Sequence, residues 1–410
     1  MNLPRHHLPP LPEGRAYTFH AMVKPGGAAC NLNCSYCFYL HKTGLLKQET
    51  NPVMSDDVLE QHIRQYIDGQ TGRRVVFSWQ GGEPTILGLR FFEKVVALQR
   101  KYKKPGQIIE NDLQTNGILL NDEWMRFLKT HRFHVGLSID GPRHLHDKFR
   151  RDKGGKPTFD KVMKATELLR RYQVPFAVLC VVNRENAREP LAVYRFLSRC
   201  TGTYRIQFSP VVEPVYFERR PPKVSRTAEV KVQSLVTDWS VTPKLYGSFL
   251  KAVWDEWLTH DYGSVHVNLF ETAVAQSLGL PAQLCTTAPF CGKGVAVEAN
   301  GDVYSCDHLV YSDYKLGNIM AMHEADMAFS SRQVNFGMAK SDKLPKFCRR
   351  CRHLKLCWGE CPKNRLLRTP DGQKGLNYLC AGLYDFFEHI QQDLPQIHRQ
   401  IQQTVNCNDR

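Results

Sequence analysis

The first half of the chain alternates short apolar runs with longer stretches of helical periodicity. The intervening stretches predict helices that begin near Ser55, Leu89, Asn121, Phe159 and Arg188. Ser55 and Asn121 are of the residue types that cap a helix N-terminus. Six runs rich in β-branched and aromatic residues predict strands, over residues 16–23, 74–79, 107–114, 134–139, 175–182 and 204–212.

Strands that alternate with helices predict a parallel sheet with right-handed crossover connections. Six such units within residues 16–235 favour an α/β fold, a partial (β/α)6 barrel that remains open. A flat, doubly wound sheet has the same alternation, so the pattern alone does not separate the two. Residues 1–15, which are rich in proline, are expected to form a flexible tail.

The alternation stops near residue 214, where a stretch rich in proline and charge follows. Residues 236–284 predict a helical connector, and residues 285–410 predict a small cysteine-rich domain that ends in one helix over 378–403. Because such a loop-rich segment buries little apolar surface, we expect metal to hold it together.

The stretch 295–309 alternates apolar and polar residues on both sides of Asn300-Gly301. An Asn-Gly pair at that place is a strong signal for a β-hairpin. The second arm of the hairpin ends at Cys306 and Asp307, so we expect a carboxylate fixed beside a cysteine.

Composition narrows the class of protein. No apolar run approaches the roughly 20 residues that cross a bilayer, and prolines interrupt the N-terminus where a signal peptide would be apolar. We therefore expect a cytoplasmic location and no membrane partner. Fourteen cysteines in a reducing compartment favour metal binding over disulfides.

The formal net charge of +15 raises the question of a nucleic-acid partner. The basic residues are scattered along the helices, however, and no RNA-binding signature is present. We expect no nucleic-acid binding, and we interpret the charge as a basic surface suited to an acidic electron donor.

Cys30, Cys34 and Cys37 lie in the stretch CNLNCSYCFYL, directly after the first predicted strand. Structural zinc and ordinary iron–sulfur clusters take four protein ligands. Three thiolates from one loop would therefore leave one metal position open, and an open position is where a metal centre performs chemistry. A zinc site completed by a distant histidine is the alternative.

Polar residues and glycines follow the next three predicted strands. Because barrel enzymes carry their active sites at the carboxyl ends of the strands, we expect these residues to share one site with the cysteine loop. The glycines would let backbone approach a ligand closely. The residues are Gln80, Gly81, Gly82 and Glu83 after the second strand, Asn116 after the third, and Ser138 and Asp140 at the fourth.

The CxxxCxYC loop resembles the signature of the radical S-adenosylmethionine (radical SAM) superfamily, whose fold is a partial (β/α) barrel. The resemblance implies a [4Fe–4S] cluster on Cys30, Cys34 and Cys37, with SAM bound at the open iron. Cleavage of SAM would then give a 5′-deoxyadenosyl radical that abstracts hydrogen from the substrate. The same resemblance implies SAM contacts for Tyr36, Gly81, Gly82, Glu83, Asn116, Ser138, Arg150 and Val211.

The cysteines between residues 285 and 380 resemble the SPASM extension of radical SAM enzymes that modify peptides. This resemblance implies two more [4Fe–4S] clusters. The spacing does not by itself give the division between them, and a zinc ribbon has similar spacing. The implied ligand sets are Cys285, Cys291, Cys306 and Cys361 for one cluster, and Cys348, Cys351, Cys357 and Cys380 for the other.

Nearly the whole chain resembles the anaerobic sulfatase-maturating enzymes, through QGGEPT, SIDGP, HDKFRRDKGGKPT, QFSPVVE and the Cys306-Asp307 pair. The resemblance implies oxidation of a cysteine or serine in the CxPxR or SxPxR motif of an unfolded or nascent sulfatase to Cα-formylglycine. Asp307 would be the general base, with its pKa raised by the anionic cluster beside it. Gln80 would help to bind the substrate, and a flavodoxin or ferredoxin would supply electrons.

Two other interpretations remain at this point. Another SPASM enzyme would crosslink or epimerise a peptide, but the 15 residues before the first predicted strand are too few for the recognition domain that such enzymes usually carry. The second alternative, from a different class, is a zinc-bearing interaction protein.

Overall fold

The computed structural model describes residues 18–46, 52–224 and 235–408. The predicted tail 1–15, the start of the first predicted strand and part of the charged stretch after residue 214 lie outside these ranges.

Ten strands form one mixed sheet in the order β10-β9-β8-β1-β2-β3-β4-β5-β6-β7. Six consecutive neighbours, β1 to β6, pair in parallel, and helices connect them along the chain. The predicted α/β fold with a partial six-unit barrel is therefore confirmed. These strands are β1 His20–Lys24, β2 Arg74–Trp79, β3 Ile108–Thr115, β4 Phe133–Ser138, β5 Phe176–Val182 and β6 Arg205–Pro210.

The helices of the barrel begin where the capping residues predicted them. The Ser55 hydroxyl accepts a hydrogen bond from the backbone N–H of Val58 at 3.3 Å, and Asn121 Oδ1 accepts one from that of Trp124 at 3.0 Å. The helices of this part are α1 Lys42–Leu45, α2 Asp56–Gly69, α3 Gly88–Tyr102, α4 Asp122–Thr130, α5 Arg143–Phe149, α6 Phe159–Arg171 and α7 Pro190–Cys200.

The remaining helices lie between residues 243 and 408. No helix in the described ranges is both long enough and apolar enough to cross a membrane. The helices are α8 Pro243–His260, α9 Asn268–Ser277, α10 Glu324–Ala328, α11 Ser331–Asp342, α12 Lys346–Arg349, α13 Leu354–Cys357, α14 Cys380–Ile390 and α15 Leu394–Asn408.

Further strands extend the barrel sheet at both edges. β7 (His266–Val267) pairs in parallel with β6, and β8 (Gly294–Glu298) pairs in parallel with β1. The predicted hairpin is confirmed, because β8 pairs antiparallel with β9 (Asp302–Tyr304) around a turn in which Gly301 has a φ of +85°. β10 (Lys315–Asn318) follows β9, and β11 (Leu367–Arg368) and β12 (Lys374–Leu376) form a separate pair.

The single helix predicted over 378–403 is wrong. The structure has two helices there, α14 and α15, separated by a turn at residues 391–393. Pro395 explains the break, because a proline inside a helix removes a backbone donor and its ring clashes with the carbonyl four residues earlier.

Helices α8 and α14 cross at a pair of glycines. A Cβ built on Gly247 would lie 2.6 Å from the Gly382 carbonyl oxygen, and one built on Gly382 would lie 1.9 Å from that of Pro243. The Trp254 indole of α8 also donates to Asp393 at 2.8 Å. The glycines therefore allow backbone contact between the connector and the C-terminal helix.

We expect Gly247→Ala to lower the midpoint of urea unfolding, by an amount that corresponds to about 1–3 kcal/mol of overpacking. Alanine normally stabilises a helix interior by about 1 kcal/mol relative to glycine, so the sign of the effect is informative. Gly72→Ala is the control, because its added Cβ would lie 3.9 Å from the Arg74 carbonyl oxygen, an ordinary contact distance. Unfolding is followed by circular dichroism. Equal midpoints for the two variants would contradict the close contact between the helices.

Candidate functional site

The loop that carries the first three cysteines packs on two glycines after β2. The backbone N–H of Gly82 donates to the Gly27 carbonyl at 2.9 Å, and that of Glu83 donates to the Ala29 carbonyl at 2.8 Å. A Cβ on Gly82 would lie 2.0 Å from the Ala29 oxygen, and Gly81 has a φ of +123°. These two glycines let the chain approach its own cysteine loop, a contact that the sequence did not predict.

Cys30, Cys34 and Cys37 lie together at the carboxyl end of β1, and each thiol is half-buried. Burial raises the pKa of Cys30 to about 11 and that of Cys34 to about 12, and the other cysteines of the loop add to the shift. Arg150 lowers both pKa values. Thiols in this setting need a cation to become thiolates, so the donor set fits an iron cluster held by three cysteines.

Glu83 connects this loop to β3. Its buried carboxylate accepts hydrogen bonds from the Thr115 hydroxyl at 2.8 Å and from the backbone N–H of Asn116 at 2.7 Å. The Asn116 side chain donates to Asn31 Oδ1 at 2.7 Å, next to Cys30. Glu83 and Asn116, both predicted to contact SAM, therefore lie at the cysteine loop.

Tyr36, Arg150 and Val211 lie together on the other side of the loop. The Tyr36 hydroxyl donates to the Asp140 carboxylate, which also pairs with Arg150 Nε at 3.0 Å. Val211 packs against Tyr36 in a small apolar cluster. The sequence pattern placed Asp140 at this edge, but its role as the buried anchor of Tyr36 and Arg150 emerges only from the structure.

Ser138 ends β4 and Gln80 directly follows β2, so they lie on the two sides of β3 in the sheet. The Ser138 hydroxyl accepts a hydrogen bond from Gln114 Nε2 at 3.0 Å. The backbone N–H of Gln80 donates to the Val23 carbonyl at 2.8 Å, so Gln80 lies beside the end of β1. Both residues are therefore at the edge of the sheet where the cysteine loop lies.

The Asp307 carboxylate forms an ion pair with Lys24, the last residue of β1, which is only 1% exposed. Lys24 Nζ lies 3.8 Å from the centroid of the Tyr39 ring, and the Tyr39 hydroxyl donates to the Glu298 carboxylate at the end of β8. A buried series of polar contacts therefore connects the three-cysteine loop with the segment after Cys306. Neither Lys24 nor Glu298 was predicted, although Lys24 ends a parallel strand as the predicted residues do.

The pKa of Asp307 lies below its ordinary value. Burial alone would raise it, but the neighbouring cations outweigh burial, and Lys24 has the largest effect among them. This direction comes from the protein groups alone, and the rise that we expected from the anionic cluster beside Cys306 stays a prediction. The lowering depends on Lys24, which is distant in sequence and comes close only through the pairing of β1 with β8.

The eight C-terminal cysteines fall into two groups according to which thiols raise one another's pKa. Burial is the main cause that raises the pKa of Cys291, Cys306 and Cys361, and the charge of Cys285 adds to each of these shifts. The second group is linked in the same way, since Cys348 raises the pKa of Cys357 and Cys380, and Cys351 raises that of Cys348. The groups have the same members as the two implied ligand sets, and their roles as ligands remain a prediction.

A turn between Cys357 and Cys361 separates the two groups. Trp358, Gly359 and Glu360 all have positive φ values, of +48°, +68° and +48°. Lys340 and Arg365 lie beside the thiols of the first group, where their charges lower the pKa of Cys291. In the part of the chain that the structure describes, no three His, Cys, Asp or Glu side chains could hold a single metal ion.

Two protein-family models match the chain. The radical SAM superfamily model matches residues 25–197, and the SPASM iron–sulfur cluster-binding domain model matches residues 285–352. The two matches cover the barrel strands β2 to β5 and the beginning of the cysteine-rich region.

Curated relatives match over almost their full length. The chain is 44% identical to a serine-type anaerobic sulfatase-maturating enzyme of Bacteroides thetaiotaomicron, over 92% of this chain and 90% of the relative. It is 34% identical to a cysteine-type anaerobic sulfatase-maturating enzyme of Clostridium perfringens, over 90% of this chain and 95% of the relative.

A solved structure has the same fold. It is described as native anSMEcpe with bound AdoMet and Cp18Cys peptide, and it superposes with a TM-score of 0.80 at 32% identity. The match covers 93% of this chain and 99% of the other. The similarity therefore includes both the barrel and the cysteine-rich region.

We expect Gly82→Ala to displace the three-cysteine loop, because its Cβ would overlap the Ala29 carbonyl. After anaerobic reconstitution the variant should hold about four fewer iron atoms per chain than the wild type, the content of one [4Fe–4S] cluster. Gly26→Ala, in the segment that leads from β1 to the three cysteines, is the control, since its Cβ would meet only ordinary contacts at 3.8 Å. Full iron content in Gly82→Ala would refute the proposed packing.

Proposed function

Because this chain belongs to the anaerobic sulfatase-maturating enzymes, we propose that it oxidises one cysteine or serine side chain of a sulfatase to Cα-formylglycine, within a CxPxR or SxPxR motif. It is a radical SAM enzyme whose cofactors are three [4Fe–4S] clusters, with SAM as cosubstrate. The proposal rests on one observation, which is that Asp307 lies at the same edge of the sheet as the three-cysteine loop. Asp307 forms an ion pair with Lys24, and Lys24 contacts the ring of Tyr39 in that loop.

The chain offers a place for each cofactor. When bound, the SAM-carrying cluster supplies a carbon radical that removes a hydrogen atom from the substrate. Cys30, Cys34 and Cys37 would hold this cluster, and the two C-terminal groups of four cysteines would hold clusters that would accept the second electron of the oxidation. A cysteine substrate would give a thioaldehyde, which water would hydrolyse to the aldehyde with release of sulfide. The SAM contacts that we propose are Tyr36, Gly81, Gly82, Glu83, Asn116, Ser138, Arg150 and Val211.

We assign Asp307 the role of general base for the thiol or hydroxyl proton of the substrate. The ion pair with Lys24 fixes one side of its carboxylate, and the position next to Cys306 keeps it near the first auxiliary cluster. A base must lie within hydrogen-bond reach of the proton that it takes, and a fixed carboxylate meets that requirement better than a mobile one. Gln80, which follows β2 and lies beside the end of β1, is the residue that we propose for substrate positioning.

The partners follow from the chemistry. The substrate is an unfolded or nascent sulfatase polypeptide, because the motif must reach a site inside the sheet edge. We propose a flavodoxin or ferredoxin as electron donor, since such carriers are acidic and this chain has a formal net charge of +15. A cytoplasmic location is proposed from the cysteine content, which suits a reducing compartment.

Two synthetic peptides that differ only in cysteine or serine at the first motif position test the function. Each is incubated anaerobically with SAM and reductant, and mass spectrometry is expected to show the aldehyde product from at least one of them. A peptide with alanine at that position is the control and should not change. If neither the cysteine nor the serine peptide is converted, the sulfatase substrate is wrong.

We expect Asp307→Asn to reduce formylglycine formation by about 100-fold or more, the usual contribution of a positioned general base. Iron content and SAM binding should equal those of the wild type, because the amide keeps the size of the carboxylate. Asp313→Asn, in an exposed turn six residues further on, is the control and should retain activity. Full turnover by Asp307→Asn would remove the assignment.

A further inference from the structure

The ammonium of Lys42 is buried without a hydrogen-bond acceptor among the described residues. Lys42 begins α1 and is 0% exposed. Its Nζ lies 3.2 Å from the centroid of the Tyr311 ring, so its environment is an aromatic face rather than oxygen. An ammonium has three donors, and burying them unpaired is unfavourable for folding.

Two histidines, one next to Lys42 in the chain and one next to Asp307, also have unpartnered nitrogens. Within the described chain, both ring nitrogens of His41 and the Nδ1 of His308 are buried and have no hydrogen-bond partner. The His41 ring packs edge-on against Phe217, whose carbonyl accepts a hydrogen bond from the Tyr311 hydroxyl at 2.7 Å. We refer to His41, Lys42 and Tyr311 as the Lys42 cluster.

The Lys42 cluster lies in the same region as the proposed base. Tyr311, whose ring Lys42 contacts, is four residues after Asp307 in the chain. The backbone N–H of Lys42 also donates to the Tyr39 carbonyl at 2.9 Å, and the Tyr39 ring contacts Lys24, the ion-pair partner of Asp307. The nearby carboxylates already have cationic or hydroxyl partners: Asp307 pairs with Lys24, Glu213 pairs with Lys363 at 2.6 Å, and Glu298 accepts from Tyr39.

Burial lowers the pKa of Lys42 to about 7, even though Glu213 and Glu298 act in the opposite direction. The carboxylates around it therefore do not compensate for its removal from water. A ligand that brings an oxygen atom to Nζ would supply the missing interaction.

We propose that Lys42 binds an acceptor oxygen of the substrate polypeptide, beside the residue on which Asp307 acts. This inference rests on the proposed function, because it takes the sulfatase segment as the ligand. A backbone carbonyl and a side-chain carboxylate both offer the required oxygen. Residues of the substrate that flank the target side chain are the ones within reach, since the Lys42 cluster lies in the same region as Asp307.

The test compares peptide binding and thermal stability of the holoenzyme in the Lys42→Met variant. Methionine keeps the length of the side chain but has no donor. We expect the dissociation constant of a fluorescent CxPxR or SxPxR peptide, measured by anisotropy without SAM or reductant, to rise at least tenfold. Iron content and SAM affinity should be unchanged, and the melting temperature should stay equal or rise by a few degrees, because an unpaired buried charge is removed.

Lys164→Met is the control for loss of one positive charge. Lys164 is exposed on α6, and its substitution should leave the peptide dissociation constant within twofold of the wild-type value. Lys42→Arg, which keeps the charge and the donors, should bind peptide more tightly than Lys42→Met.

Three results would overturn the inference. Unchanged peptide affinity in Lys42→Met would show that no substrate oxygen meets the ammonium. A lower melting temperature together with lost iron would assign Lys42 a structural role only. Weaker SAM binding would make SAM the ligand instead of the peptide.

The source of the oxygen and the proposed function are tested separately. Peptides in which acidic side chains are replaced by their amides should lose affinity for the wild type if a carboxylate is the ligand, and should keep it if a backbone carbonyl is. If the wild type binds neither motif peptide, the sulfatase substrate is refuted before Lys42 is considered.

Discussion

The parallel pairing of β1 with β8 is the constraint on which the rest of the site depends. β1 begins the barrel and carries the three-cysteine loop at its carboxyl end, whereas β8 belongs to a hairpin in which each paired residue is 274 positions further along the chain. Five residue pairs, from His20–Gly294 to Lys24–Glu298, fix the register between them. Because a slip of one residue would turn every side chain to the opposite face, this register decides which residues of the two regions can meet.

The buried charges at the end of this pairing reinforce the register. Lys24, Asp307 and Glu298 are removed from water, and each has a partner, through the ion pair or the Tyr39 hydroxyl. Buried ion pairs contribute little net stability, but removing one partner leaves an uncompensated charge at a high cost. An arrangement in which these three side chains do not meet is therefore disfavoured, and the charges select the orientation that brings Asp307 to the cysteine loop.

The parts of this molecule that follow from local sequence were predictable, and those that depend on distant contacts were not. The barrel strands, the caps at Ser55 and Asn121 and the hairpin at Asn300-Gly301 each reflect short-range periodicity or side-chain chemistry. The single helix predicted over 378–403 was wrong because the apolar period continues past Pro395, whereas the proline interrupts the backbone hydrogen bonds of a helix at that point. The site edge was predictable for residues that follow parallel strands, and Lys24 obeys the same rule.

The Lys24–Asp307 pair and the lowered pKa of Asp307 depend on the β1–β8 pairing, and no local pattern indicates it. The grouping of Cys361 with Cys285, Cys291 and Cys306 is of the same kind, because residues 358–360 must adopt positive φ to separate Cys361 from Cys357. Natural sequences depart from good local chemistry mainly where function requires it. In this structure the unpaired ammonium of Lys42 is one such departure, and its charge acts on Asp307. Lys24 and Lys363 in the same region have carboxylate partners, so the fold is able to pair a buried cation there. The contrast between paired and unpaired cations at one site is what separates residues that hold the fold from residues left open to a ligand.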